Sequence, residues 1–200
     1  MEFQDVLRTR KMVRSFEDRP IPPEIVERII RNARRGPSAG FSQGVEFLVL
    51  DGREQTGQYW DLEQLNQAPE TAPQWPSIRN APLIIAFLSD KAAYIARYSR
   101  PDKEWTNMAD ESLWPVPFWD IDAGMAAMLV LLTAVDAGLG ACFVGVVDQA
   151  EFKSRFGIPE RMNVVGCTLI GYPETNDVPS PSLARGRRPA TEVVHRGKWG

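Results

Sequence analysis

Arginines are the residues of this chain best placed to do chemistry. Arg10 and Arg14 stand four apart in Arg10-Lys11-Met12-Val13-Arg14-Ser15-Phe16, and a second basic knot, Arg185-Gly186-Arg187-Arg188-Pro189, lies near the other end. A guanidinium is a planar fork of parallel donors that never deprotonates, so it matches a phosphate better than a lysine does. Between the knots runs Gly36-Pro37-Ser38-Ala39-Gly40-Phe41-Ser42-Gln43-Gly44, a polar, glycine-rich turn. If folding joins the knots, they form a phosphate pocket beside an adaptable backbone turn. Holding a flavin mononucleotide (FMN) requires such a pocket. Most surface arginine clusters are merely solvated, so the expectation depends on that convergence.

Composition narrows the alternatives. Two hundred residues can bury a substantial core as one domain, here 1–200. A net charge of -3 excludes a general nucleic-acid binder, which needs a basic stripe. The opening Met1-Glu2-Phe3-Gln4-Asp5 leads into no long apolar stretch, so no signal peptide is expected. The most apolar run, Ile121 to Val135, contains Asp122 and is flanked by Asp120 and Asp136; it predicts a buried core helix, not a membrane span. Cys142 and Cys167 lack metal-ligand spacing and read as buried free thiols of a reducing compartment. One histidine, His195, leaves no multi-histidine metal site. A cytoplasmic location follows, with no metal and with neither nucleic acid nor membrane as a partner.

The elements that must position these residues follow from apolar periodicity. Phe3, Val6 and Leu7 mark one face of a short first helix. Pro22-Pro23 opens a second, striped by Ile25, Ile29, Ile30 and Ala33 and stopped at Gly36. Val45 to Leu50 and Leu83 to Leu88 are near-continuous apolar runs, predicting strands covered on both faces. Ala141 to Val147 and Asn163 to Tyr172 complete the strands, separated by a helix capped by Asp148 with Glu151 three residues on. Segments near 55–80 and 97–117 are polar, proline-bearing and tryptophan-bearing, and predict irregular walls or a lid. Their tryptophans Trp60, Trp75, Trp105 and Trp114 serve as loop anchors more often than as stacking platforms. Interspersed helices and strands give an α+β or α/β class.

In order and spacing these pieces resemble the nitroreductase family of flavin oxidoreductases, from Leu7 to Trp199. Arg10-x-x-x-Arg14-x-Phe16 resembles the family's basic opening motif, and Pro37-Ser38-Ala39 with Gln43 resembles its flavin-contacting turn. Leu139 to Gly145 resembles its glycine-containing strand, and Gly166 to Pro173 followed by Arg187-Arg188-Pro189 its carboxyl end. The resemblance implies an α+β fold with a central mixed, mostly antiparallel sheet flanked by helices. It also implies a homodimer that exchanges carboxyl-terminal arms and holds each flavin at the interface. The implied reaction is ping-pong: NADH or NADPH reduces the flavin, then a nitroaromatic, quinone or similar planar electron acceptor is reduced.

Residue roles carry over by position. Arg10, Arg185 and Arg187, with Lys11 and Met12 in the same motif, belong to the phosphate end of the cofactor site. Arg14 faces the flavin N1 and C2 carbonyl; otherwise it pairs with Glu17 or Asp18. Pro37, Ser38 and Ala39 lie against the ring, Gln43 reaches the ribityl hydroxyls, and a backbone amide near Val144 and Gly145 points at N5. The flavin carries the chemistry, so no side chain is assigned as catalytic, and His195 reads as a packing or surface residue. Three departures from the family stand out: Met12 replaces a common serine, Phe41 a common asparagine, and Gly44-Val45 a common Pro-Trp. Phe41 therefore marks the substrate pocket. It also keeps two other functions open, a non-catalytic flavin-sequestering protein and a deazaflavin-dependent reductase.

Overall fold

A computed structural model describes residues 1–62 and 75–199. Four strands, β1 (Val45–Asp51), β2 (Leu83–Ser89), β3 (Gly140–Val144) and β4 (Asn163–Gly171), form one sheet in the order β1-β2-β4-β3. Every neighbouring pair is antiparallel. The expected mixed character is confined to an isolated parallel bridge between Met12 and Ala141. The class is α+β, as the sequence predicted.

Helices cover both faces. They are α1 (Phe3–Thr9), α2 (Pro23–Ala33), α3 (Arg53–Trp60), α4 (Lys91–Tyr98), α5 (Phe118–Asp136), α6 (Gln149–Phe156) and α7 (Ala190–Val193). All seven residues of β2 are buried, and the strand's period of two divides them between two cores. Leu83, Ile85 and Phe87 pack with α2 and α5; Ile84, Ala86 and Leu88 pack with Tyr59, Phe152 and the amino-terminal Val13 and Phe16. Full burial of such side chains contributes roughly 1.5–3 kcal/mol each.

β1 does not match its predicted burial. Glu46 and Asp51 are exposed and only Leu50 is fully buried, because β1 is an edge strand with a single neighbour. Two helices are unexpected from sequence: α3 overlaps the 55–80 segment expected to be irregular, and α4 lies mostly before the 97–117 segment, in a stretch assigned no element. In α3 only Thr56 and Tyr59 are buried, and in α4 only Tyr94, so neither shows a wide apolar stripe in sequence. A 3-10 turn, Pro76–Asn80, follows α3; the expected loop's Pro69 and Pro73 lie outside the described residues. The 97–117 segment is built from two 3-10 turns, Pro101–Thr106 and Glu111–Leu113. Trp114 is its anchor, 8% exposed and 4.8 Å edge-on from Tyr98, whereas Trp105 is 80% exposed.

The core helix predicted over Ile121 to Val135 is α5. Small residues Ala123, Ala126, Ala127 and Ala134 bring it close to the sheet and α2. Its other side shows Ile121, Met125 and Met128 to solvent. Phe3 and Leu7 of α1 are exposed as well, so only Val6 of the predicted α1 face is buried.

Candidate functional site

The amino-terminal arginine motif is stitched between β3 and the segment that follows β4. The Val13 amide donates to the Ala141 carbonyl (3.0 Å), the Glu17 amide to Tyr172 (2.9 Å) and the Glu174 amide to Ser15 (3.0 Å). Asp177 ties the knot: its Oδ1 accepts from the amides of Arg14 (2.9 Å) and Ser15 (3.1 Å). Its Oδ2 lies 3.2 Å from Lys11 Nζ as an ion pair without hydrogen-bond geometry. Arg14 does not take Glu17 or Asp18. Its guanidinium lies 4.7 Å from the Trp75 ring centroid, and the Trp75 indole donates to the Val178 carbonyl (2.7 Å); Asp18 pairs with Arg53 instead. Met12 packs against the core. Arg10 is half-buried and has no acidic partner among the described residues.

Arg185 and Arg187 lie on an exposed segment eight and ten residues past Asp177. Among the described residues no hydrogen bond or ion pair joins them to Arg10 or Arg14, while Arg188 pairs with Glu192 at 3.2 Å. The fold thus brings the chain's two terminal segments together at Asp177. Within one chain, no direct bond links the two sets of guanidiniums.

The 36–44 turn is a strained and heavily clamped structure. Gly40, Phe41 and Gln43 have φ of 61°, 56° and 55°. For side chains with a Cβ, this left-handed region costs of order 1–3 kcal/mol and persists only where surroundings enforce it. The enforcement comes from two helices. The Ala39 amide donates to Asp122 Oδ2 of α5 (2.9 Å), and Tyr94 Oη of α4 donates to the same oxygen (2.6 Å). The Ser38 hydroxyl accepts from the Gln43 amide (2.8 Å). Arg97 Nε holds the Gly40 carbonyl (2.9 Å) while its other nitrogens grip Asp102. A Cβ on Gly40 would lie 2.6 Å from the Tyr98 ring, so glycine is required twice over. Burial, then the Asp122 bond, pushes the Tyr94 phenol above the ordinary tyrosine range.

Beside this turn lies a cavity of about 210 Å³ lined by Ser38, Phe41, Gln43, Phe47, Asp122 and Ala126 among others. Phe41 is 74% exposed at its mouth and also borders a neighbouring groove with Arg97 and Arg100. Pro37 and Gln43 are exposed and Ala39 is half-buried. At the end of β3, Val144 is half-buried and Gly145 is open: a Cβ there would meet nothing within 4 Å. His195 stacks on Trp199 (4.1 Å), a packing role. Both cysteines are free and buried; burial pushes the Cys167 thiol up to about 12 and raises Cys142, with Arg14 partly opposing. The sequence reading passed over Asp122, Tyr94 and Arg97. Only Asp122 left a signal, as an acid inside an apolar run.

The sequence profile of the nitroreductase family matches residues 7–172. The chain belongs to the nitroreductase family, and with it to the oxidoreductase enzymes. It is 29% identical over 181 residues to a putative NADH dehydrogenase/NAD(P)H nitroreductase of Methanothermobacter thermautotrophicus, covering 88% of this chain and 80% of that one. It is 26% identical to an FMN reductase [NAD(P)H] of Bacillus subtilis, covering 88% and 68%. A solved nitroreductase family protein of Clostridium difficile 630 shares the fold with a TM-score of 0.70 at 22% identity, over 100% of both chains.

Proposed function

We propose that this family member is a homodimeric, FMN-dependent oxidoreductase that uses NADH or NADPH to reduce a planar acceptor such as a nitroaromatic or a quinone. One observation carries the reading: a half-buried Arg10 without an acidic partner, set in a motif that the fold pins rigidly in place. A cation kept there without a carboxylate is a ready phosphate ligand. The donor set fits FMN. Arg10, joined by Arg185 and Arg187 of an exchanged arm, would hold the phosphate, and Pro37, Ser38, Ala39 and Gln43 would border the ring and ribityl chain. The open backbone at Gly145, next to Val144, would admit the ring edge. Lys11 and Met12 contribute backbone, because their side chains are engaged by Asp177 and the core. When bound, FMN supplies the hydride chemistry, taking a hydride from the nicotinamide and delivering it to the acceptor in a ping-pong cycle.

Arg14, steadied on Trp75, would offer a fixed cation to the flavin edge that gains negative charge, favouring reduction. Phe41, exposed at the cavity mouth, limits which flat acceptors can approach. None of residues 10–16 or 144–145 lines the cavity beside the turn. That cavity is also smaller than the roughly 300–1,000 Å³ of typical ligand sites. A second copy covering the exposed Ile121, Met125 and Met128 and exchanging its carboxyl-terminal arm supplies the missing wall. The named relatives, an NAD(P)H nitroreductase and an FMN reductase, support the donor and the cofactor. The two free, buried thiols support a reducing cytoplasm.

The test is anaerobic titration of the FMN-loaded protein with NADH and NADPH. Bleaching of the flavin band by either donor, restored by a quinone or nitroaromatic, is the expected result. A flavin that binds but resists both donors replaces this reading with sequestration, and mass spectrometry of the purified protein's own cofactor separates FMN from a deazaflavin.

A further inference from the structure

Asp122 is 4% exposed on the apolar helix α5 and has no ion-pair partner among the described residues. A carboxylate removed from water is costly unless its oxygens are hydrogen-bonded. Here one oxygen, Oδ2, accepts both bonds in evidence, from Tyr94 Oη at 2.6 Å and from the Ala39 amide at 2.9 Å. Tyr94 is itself fully buried, and within the turn the Ser38 hydroxyl accepts from the Gln43 amide at 2.8 Å. Asp122 thus holds the turn directly at Ala39 and fixes Tyr94 beneath it, while within the turn Ser38 holds Gln43. Both the Ala39 and the Gln43 amides so held belong to the turn that keeps Phe41 and Gln43 at positive φ.

We propose that Asp122 is the positioning residue of this site: through the Ala39 amide and the Tyr94 ring it locks the 38–43 turn into the strained shape that receives the cofactor and presents Phe41 to the acceptor. The inference rests on the flavin reading for its consequence, but its physical content is a property of the protein alone. Two features separate it from ordinary core packing. Of the two bonds to Asp122, one reaches a backbone amide of the turn directly and the other fixes the tyrosine on which the turn packs. Moreover, Gly44 leaves no room between Tyr94 and the turn, since a Cβ there would sit 2.6 Å from the Tyr94 ring. Ser38 is also redefined: its hydroxyl oxygen accepts the Gln43 amide within the turn, so it shapes the site before it touches any ligand.

The experiment combines amide hydrogen exchange on the flavin-free protein with FMN affinity measured by fluorescence quenching. The variants are Asp122→Ala, Asp122→Asn, Tyr94→Phe and the Asp122→Ala/Tyr94→Phe double. Thr133→Val serves as control, because it removes a different α5 hydrogen bond, from Asn32 (3.1 Å), and leaves the turn alone. Asp122→Ala is expected to speed exchange of the Ala39 and Gln43 amides at least tenfold and to weaken FMN at least tenfold. Asp122→Asn, which keeps an accepting oxygen, recovers most of both losses. Tyr94→Phe adds little in the Asp122→Ala background, because the two act through one bond. Thr133→Val changes neither readout at the turn. Unchanged turn exchange in Asp122→Ala, or a Thr133→Val effect of equal size, overturns the inference. A wild-type protein that ignores FMN sinks the functional reading instead, while the exchange data still judge Asp122.

Discussion

Arg10 and Phe41 are the two side chains whose replacement speaks most directly to the site. Arg10→Gln removes a charge-assisted contact of about 1.5–3 kcal/mol, so FMN binding is expected to weaken roughly ten- to hundredfold. Its apo melting temperature stays put, since Arg10 pairs with nothing acidic among the described residues; equilibrium binding and a thermal scan check both halves. Phe41→Asn puts an amide at φ 56°, a region asparagine tolerates well, so stability holds within about 0.5 kcal/mol while the KM for bulky acceptors shifts several-fold. Tyr59 and Tyr94 give a pH signature. Burial raises both phenols, so the neutral forms favour folding; that contribution is complete below about pH 10 and is lost as pH climbs toward the folded-state values. Two of the four tyrosines should therefore ionise, by ultraviolet absorbance, only with unfolding; all four titrating together in the ordinary range would contradict their burial. Arg10, Arg14 and the turn were legible because short motifs announce themselves through residue type. Asp122 was visible only as an oddity, since its partner Tyr94 lies on a helix that has no apolar stripe to reveal it.

At the level of elements, the amino-terminal motif is only as well placed as its seat on β3. A Cβ at Gly140 would meet Val13 at 2.7 Å, so Gly140→Ala must push the Arg10–Arg14 segment outward. The expected cost is about 1–3 kcal/mol of stability together with weaker FMN binding. Chemical denaturation and flavin titration check the pair; a stable variant with normal affinity would show that the motif is not seated there. The strands and α2 and α5 were readable because alternate or helical burial leaves a period in the sequence, as in Leu83, Ile85 and Phe87 against Ile84, Ala86 and Leu88. α3 and α4 were not, because each buries one or two residues and rests on tertiary contacts instead. The overestimated burial of β1 has a related cause. Apolar content says a strand is sticky, but sheet order decides whether it has one neighbour or two.

For the whole molecule, the account requires that the site be shared between two copies. α5 leaves Ile121, Met125 and Met128 uncovered along one face, while the turn's cavity opens beside its Asp122 and Ala126. A charge in that stripe should split the dimer: Met125→Asp is expected to give a folded monomer whose flavin affinity falls at least tenfold. Sequence could name the residues of such an arrangement but not the distribution of its halves, because nothing in a single chain's order tells which surfaces a second copy covers. Sedimentation velocity after adding FMN, followed at 450 nm, measures that arrangement directly. The account predicts that the flavin colour sediments with a species of twice the 22.4 kDa chain mass. Colour that stays behind as free flavin, or that travels with a single chain, would contradict it.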